Sequence, residues 1–207
     1  MLPFRRYLLA CALLVLHSMA PAQTCAERVA ALSQSWQREV PCHCEGETLA
    51  RITLTLPSGL RLKAACGLRR HDGQFIDLRR SAVDMDRYDK NGNSVDGVFY
   101  ISGTLVLDGE IRVEPSDGGN LFFIPRSSFG KEGTPLESWF RLLRIADADA
   151  RKFAVSNRFL SGPCYSSTAK ARFSDFTVSL GDTDSDGTFP SRVSVLGVGK
   201  YHPCVRE

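Results

Sequence analysis

The stretch that decides the fold runs from Cys164 to Cys204 and reads CYSSTAKARFSDFTVSLGDTDSDGTFPSRVSVLGVGKYHPC. Apolar and polar residues alternate over 168–180, with a change of phase at Ser174–Asp175, and alternate again over 192–201. This alternation predicts two half-buried β-strands, and the acidic segment between them predicts a turn. A disulfide between the two terminal cysteines would staple this hairpin, with a stabilisation of about 4 kcal/mol in the loop-closure treatment.

Further strands and a short helix are predicted before this hairpin. The segment 134–145 fits either a helix or a strand through 139–145, and the strand is preferred. A short helix capped by Asp147 or Asp149 follows it. Strands in this order resemble the OB-fold, a five-stranded Greek-key barrel. The sequence therefore predicts a mainly β protein with short helices, whose last part, 98–207, is an OB-like five-stranded β-barrel.

Glycines and turn-forming residues punctuate the first half of this predicted barrel. Gly103 lies inside the apolar run 98–107 and predicts a bulge there. Asp108–Gly109 predicts a turn between that run and a short strand at 111–113. The apolar run 121–124 predicts the strand after it.

The preceding part, 23–83, predicts a small disulfide-stabilised region with one helix and one β-hairpin. Two alternating runs, 52–56 and 60–66, flank a Pro-Ser-Gly turn and predict the hairpin. Residues at helical spacing on one face predict a helix that ends near Glu39: Cys25, Val29, Leu32 and Trp36. The segment 84–97 has few apolar residues and many turn formers, so it predicts a linker or long loop between the two parts.

The first residues, 1–22, have the pattern of a secretory signal peptide. Arg5 and Arg6 precede an apolar run over 7–16, and a small-residue cleavage pattern ends at Ala22. We therefore expect a mature chain that starts at residue 23 in the periplasm or outside the cell. No other apolar run reaches the ~18 residues that a membrane span needs, so no transmembrane segment is predicted in the mature chain.

Six cysteines follow the predicted signal peptide: Cys25, Cys42, Cys44, Cys66, Cys164 and Cys204. An even number in an exported chain predicts three disulfides. With Cys164 bonded to Cys204, two pairings of the others stay open: Cys25–Cys42 with Cys44–Cys66, or Cys25–Cys44 with Cys42–Cys66. A zinc site is the alternative, with these ligands: Cys42, His43, Cys44, and Cys66 or His71. Its C-x-C spacing departs from that of zinc knuckles, which favours disulfides.

One segment suggests a metal ligand. Asp182, Asp184 and Asp186 precede Gly187 and resemble the start of an EF-hand calcium loop. The position where such a loop needs a bidentate Glu is Val193, so the resemblance implies weakly bound calcium, and a polar hairpin turn is the alternative. A fainter repeat of the spacing consists of Asp89, Asn91 and Asn93.

Charge is unevenly distributed along the chain. Residues 51–80 contain seven Lys or Arg against two acids, whereas 84–117 contain eight acids against three bases. The predicted hairpin in the basic stretch carries Arg51, Arg61 and Lys63, which we expect to face an acidic partner if they bind one. The whole chain has a net charge of only +3, so general nucleic-acid binding is not expected.

Sequence motifs of common enzymes are absent: there is no H-E-x-x-H, G-x-S-x-G or phosphate-binding glycine loop. The sequence therefore favours an exported binding module for a protein, peptide or glycan partner in the cell envelope, of which an inhibitor or immunity-type protein is one form. One alternative is an envelope glycan hydrolase with paired carboxylates, for example Glu137 with Asp175. A structural envelope protein that binds calcium weakly is another. No cofactor other than calcium is expected.

Overall fold

The protein was analysed as a computed structural model, which describes residues 40–70, 72–86, 95–114, 120–127, 129, 139–156, 163–181 and 187–204. The predicted signal peptide and the helix that ends near Glu39 lie outside these ranges. Within these ranges, no helix is long and apolar enough to cross a membrane. The described residues are mainly β, as predicted.

The strands of the described ranges are β1 (Cys42–Cys44), β2 (Ile52–Thr53), β3 (Arg61–Arg70), β4 (Val83–Asp84), β5 (Val95–Glu114), β6 (Asn120–Pro125), β7 (Leu143–Ile145), β8 (Tyr165–Leu180), β9 (Gly187–Val198) and β10 (His202–Pro203). Two short 3-10 helices accompany them, Leu49–Arg51 and Asp147–Phe153.

Five of these strands form a closed ring. Around it, the neighbours are β5, β6, β7, β9 and β8, and β8 pairs again with β5. All pairings are antiparallel except that of β7 with β9, where Leu143 lies opposite Thr188. The hairpin predicted from the alternating runs is confirmed: β8 and β9 pair antiparallel from Ala169–Val198 to Ser179–Gly187.

The long strand β5 changes neighbours at a bend. Residues before the bend pair with β3, and residues after it pair with β6. Gly103 sits at the bend with a φ of +129°, and its register with β8 shifts there, which confirms the predicted bulge. Opposite it, Asp175 has a φ of 53° and its Oδ1 accepts a hydrogen bond of 3.2 Å from the Gly103 N–H. At this bulge, the alternation of apolar and polar residues along β8 changes phase.

The turn predicted at Asp108–Gly109 was wrong, because β5 runs straight through it. Gly109 is buried in the strand and pairs with Pro125 of β6 and Ala169 of β8. A Cβ at this glycine would lie 2.3 Å from the Ile124 carbonyl oxygen. The glycine therefore permits close approach of two strands rather than a reversal of the chain.

Aromatic side chains fill the interior of the ring. Phe123 from β6 packs edge-on against Phe173 from β8, with ring centroids 4.8 Å apart. Phe140 packs against Phe176 in the same way, at 5.2 Å. All four side chains are essentially inaccessible to solvent and form part of the packed core of the ring.

The sequence allowed either a helix or a strand over 134–145, and the segment between β6 and β8 contains some of each. Trp139 and Phe140 are helical, and the strand described in this segment, Leu143–Ile145, is shorter than the preferred prediction. The short helix predicted through Phe153 is confirmed as the second 3-10 helix. Neither predicted aspartate caps it, because its N-cap is Ala146 without a side-chain hydrogen bond.

The second 3-10 helix closes one end of the ring. Phe153 is fully buried, with its ring centroid 6.5 Å from that of Phe123. The Tyr201 hydroxyl donates a 2.9 Å hydrogen bond to the Phe153 carbonyl, which joins the helix to the segment after β9. Burial raises the pKa of Tyr201 to about 12.

The hairpin predicted from 52–56 and 60–66 was wrong. β2 pairs with β4 in parallel, and β3 instead pairs with β1 and β5. Hydrogen bonds beside these strands favour the pairing of β2 with β4. The Asp86 carboxylate accepts a hydrogen bond from the backbone N–H of Thr55 and another from its hydroxyl. β3 lies before the predicted linker 84–97, and most of β5 lies after it, so their pairing continues one sheet across that linker. Residues 87–94 of the linker lie outside the described residues.

Two disulfides are described. Cys42 on β1 is bonded to Cys66, its direct neighbour on β3, and Cys164 is bonded to Cys204 as predicted. The first bond belongs to the predicted pairing in which Cys44 bonds to Cys25. Cys44 is disulfide-bonded as well. Cys25 lies outside the described residues, so its partner stays a prediction.

Candidate functional site

The predicted calcium ligands Asp182, Asp184 and Asp186 lie outside the described residues, as do Asp89, Asn91 and Asn93, and both sites stay predictions. The flanking residues place the first of these sites: β8 ends at Leu180 and β9 begins at Gly187, so the acidic segment joins two paired strands. Among the described residues, no group of three or more His, Cys, Asp and Glu is placed to hold a metal ion.

The predicted basic patch is divided between two elements. Arg51 ends the first 3-10 helix, whereas Arg61 begins β3 and Lys63 lies at a register shift of that strand. Lys63 forms an ion pair with Glu45, which offsets part of the positive charge of the patch. Binding of an acidic partner there stays a prediction.

The zinc alternative was wrong in using Cys42 and Cys66 as ligands, because their sulfur atoms form one disulfide. His43 lies between the two cysteines of β1, opposite Ala65. Burial lowers the pKa of His43, and a hydrogen bond with the Ile76 backbone and the charge of Asp77 act in the opposite direction to a smaller extent. We assign this imidazole to the packing of β1.

The carboxylate that the hydrolase alternative named, Asp175, has a structural role. One oxygen accepts the hydrogen bond from Gly103, and the other pairs with the Arg192 guanidinium. Both contacts hold the bulge that opposes the bend of β5. Glu137, its suggested partner, lies outside the described residues.

Polar and aromatic side chains assemble on the outside of the ring. In antiparallel pairs, directly opposed residues point to the same side of the sheet, with Cβ atoms about 5 Å apart. Alternate residues of β5 from Leu105 to Val113 are buried, so the residues between them point outward. The register then brings outward residues of five strands into one row: Arg144, Phe122, Arg112, Ser166 and His202.

Two further rows run beside this one. The next contains Ile124, Glu110 and Thr168, and the third contains Asp108, Lys170 and Gly197. Arg126 extends the third row, because its backbone N–H donates a 2.9 Å bond to the Asp108 carbonyl. We call these three rows together the outer polar face.

The charges of the outer polar face are mixed, with an excess of positive charge. Its basic side chains are Arg112, Arg126, Arg144 and Lys170, and its carboxylates are Asp108 and Glu110. Arg112 lies 3.3 Å from Glu110, and Lys170 lies 3.4 Å from Asp108. Exposed ion pairs contribute about 0–1 kcal/mol each, so a ligand can displace them at low cost.

A guanidinium and two aromatic rings meet at one end of the first row. Arg144 lies beside Phe122 in the register, and its guanidinium is 5.8 Å from the ring centroid of Phe189 on β9. Both rings are partly exposed. Planar cations and aromatic rings placed in this way bind flat or amphipathic groups with little loss of side-chain freedom.

A cleft of about 320 Å³ lies at the other end of the face. It is lined by Asp108, Gly109, Arg126, Thr168, Ala169, Lys170, Gly197, Val198 and Gly199. Space for it exists because β9 has no side chain at Gly197, where a Cβ would have no atom within 4 Å. Its charged and hydroxyl groups therefore surround a floor of exposed backbone.

The sequence alone does not predict this face. Its residues come from segments far apart in the chain, and each one looks like an ordinary polar residue of an alternating strand. The available signal was Phe122, an aromatic residue in the outward phase of the apolar run 121–124. Comparison of the chain with protein-family models, with characterised proteins and with solved structures returned no match.

Proposed function

We propose that this chain is an exported, disulfide-bridged binding module that holds a protein, peptide or glycan partner of the cell envelope on its outer polar face. The observation that carries the proposal is the row in which Phe122 lies between Arg112 and Arg144. Aromatic and arginine side chains are enriched where proteins bind partners, because they provide large contact area and directed hydrogen bonds.

The architecture supports the same face. The ring has five strands, and the 3-10 helix Asp147–Phe153 precedes the fourth, which agrees with the order of an OB-fold. We propose that the ring is an OB-like barrel. In that fold the surface of the second and third strands binds oligosaccharides and oligonucleotides, and here those strands, β6 and β7, carry Phe122 and Arg144.

Export is supported by the signal-peptide pattern of residues 1–22 and by the disulfides Cys42–Cys66 and Cys164–Cys204. An inhibitor or immunity-type protein is one form of such a module. A glycan hydrolase has less support, because Asp175 is already bonded to Gly103 and Arg192. Weak calcium binding at 182–186 would be an addition to the binding role and not an alternative to it.

Binding to isolated envelope material tests the proposal. The mature, oxidised chain is mixed separately with purified cell-wall glycan and with envelope protein extract, and the bound fraction is measured against protein concentration. We expect Phe122→Ser to weaken binding to one of these by roughly tenfold or more, as removal of a central contact does. Phe75→Ser is the matched control, because Phe75 is 46% exposed and lies in the N-terminal part, on a bridge with Arg69.

Equal binding by wild type and Phe122→Ser would contradict the assignment of the partner to this face. Failure of the wild-type chain to bind either material would contradict the binding role itself.

A further inference from the structure

We propose that the cleft between β5, β8 and β9 is a subsite for a carboxylate-bearing sugar, so that the partner of this module is an acidic glycan. This inference rests on the proposed function and names the ligand class for one end of the outer polar face. It follows from the charges, the hydroxyl group and the shape of the cleft.

Charge indicates an anion with a single negative charge. Arg126 and Lys170 bring two positive charges to the cleft, and Asp108 brings one negative charge. The net charge of +1 suits one carboxylate. A phosphate dianion would meet repulsion from Asp108, which lies only 3.4 Å from the Lys170 ammonium. Arg126 is not ion-paired within the described residues, and its fork of N–H donors matches the two oxygens of a carboxylate.

The cleft has both hydrogen-bond donors and hydrogen-bond acceptors, which indicates a polyhydroxylated ligand. Asp108 accepts hydrogen bonds, Arg126 and Lys170 donate them, and the Thr168 hydroxyl does either. Each sugar hydroxyl is likewise a donor and an acceptor. A carboxylate group without neighbouring hydroxyls would use the cations and leave Asp108 without a new donor.

The floor of the cleft is flat, because no side chain rises from Gly197 or Gly199. Gly197 and Gly199 expose backbone there, and Val198 lies between them. Leu196, which is 48% exposed, precedes this segment. A pyranose ring presents C–H groups on one face and hydroxyls around its edge, so such a floor with polar walls is complementary to it. The volume of about 320 Å³ lies at the lower end of the range for ligand pockets, which suits a short segment of a chain.

A titration with defined sugars tests this assignment. The mature, oxidised chain is titrated with a short oligogalacturonate, with its methyl ester and with a malto-oligosaccharide of the same length, by isothermal calorimetry and by amide chemical shifts. We expect the uronate to bind and to shift the amides of Lys170, Gly197 and Gly199. The methyl ester and the neutral sugar should bind roughly tenfold or more weakly, because each lacks the charge-assisted hydrogen bonds.

Three variants locate the site. Arg126→Gln and Lys170→Gln remove one charge each, and Gly197→Val fills the floor at a position where a Cβ meets no atom within 4 Å. We expect Arg126→Gln and Lys170→Gln each to weaken uronate binding by roughly tenfold, the loss expected for one hydrogen bond to a charged group. Gly197→Val should weaken it as well, because the valine side chain occupies the cleft. Arg80→Gln is the matched control, because the Arg80 side chain is 88% exposed and lies outside the outer polar face, so its substitution should not change uronate binding.

Several outcomes would overturn the inference: no uronate binding, equal binding of the methyl ester, tighter binding of an oligoglutamate peptide with the same number of carboxylates, or loss of binding in Arg80→Gln alone. If these occur while Phe122→Ser still loses binding to envelope material, the binding role stands and only the ligand class is wrong.

Discussion

The two halves of β5 have the same strand geometry and opposite roles. Before Gly103, residues are buried on both faces of the strand, including Val98 and Phe99 at successive positions. After Gly103, burial alternates strictly, and Val106, Asp108, Glu110 and Arg112 point outward. The first half is therefore a support enclosed by its neighbours, whereas the second half exposes one side to solvent and contributes to the outer polar face.

The largest expected effect is on stability, in a comparison of one side chain from each half of β5. Phe99 is fully buried, with its ring centroid 5.0 Å from that of Trp139, whereas Val106 is 48% exposed. Phe99→Ala should lower the free energy of unfolding by about 3–5 kcal/mol, and Val106→Ala should change it by less than about 0.5 kcal/mol. Denaturant unfolding followed by circular dichroism measures both. Similar losses in the two variants would remove the distinction between the halves.

The bend between the halves is the next test. Gly103 has a φ of +129°, and a Cβ there would lie 2.1 Å from the Gly59 carbonyl oxygen. Gly103→Ala should cost roughly 2–4 kcal/mol of stability, from backbone strain together with overpacking. Gly197→Ala is the control, since its Cβ meets nothing. A folded Gly103→Ala protein with the stability of Gly197→Ala would show that the bend does not need glycine.

The bulge that faces the bend gives a smaller effect. Asp175→Ala removes the acceptor for the Gly103 N–H and the ion pair with Arg192, so we expect a loss of about 1–3 kcal/mol. Asp175→Asn should lose less, because asparagine keeps an acceptor and tolerates a positive φ. Thermal unfolding compares the two variants with wild type. An asparagine variant that is less stable than the alanine variant would contradict this role.

The smallest expected effect is a pH dependence of stability that arises beside the first half of β5. His43 lies opposite Ala65, which in turn pairs with Phe99, and burial lowers the pKa of His43 below 6.5. The unfolded chain therefore takes up this proton at a higher pH than the folded chain does. Stability from the neutral imidazole is complete above pH 6.5 and is lost as the pH falls toward the folded pKa.

Comparison of variants isolates this titration from that of the carboxylates. The stability advantage of wild type over His43→Gln should shrink between about pH 7.5 and pH 5. His202→Gln, at an exposed position of β10, is the matched control. An advantage of wild type that stays constant over this range would exclude His43 as the source.

Several features of the fold could be predicted because they depend on neighbours in the sequence. The alternation over 168–180 predicted β8, and its change of phase marked the bulge at Asp175. Two predictions failed where one pattern allows two structures. Asp108–Gly109 suits a turn as well as a close approach of strands, and Ile124 of another strand decides between them. Residues 52–56 alternate as a strand of a hairpin does, yet they pair elsewhere.

The sequence by itself determined the β class, the Cys164–Cys204 bridge, the β8–β9 hairpin and the short helix through Phe153, since alternation and spacing report local geometry. Only the tertiary structure decided which strands close the ring and which outward residues become neighbours. Arg112, Phe122 and Arg144 meet because the register aligns three strands from separate segments. Strand pairing is non-local, so the period of each strand says which residues face outward but not which residues lie beside them.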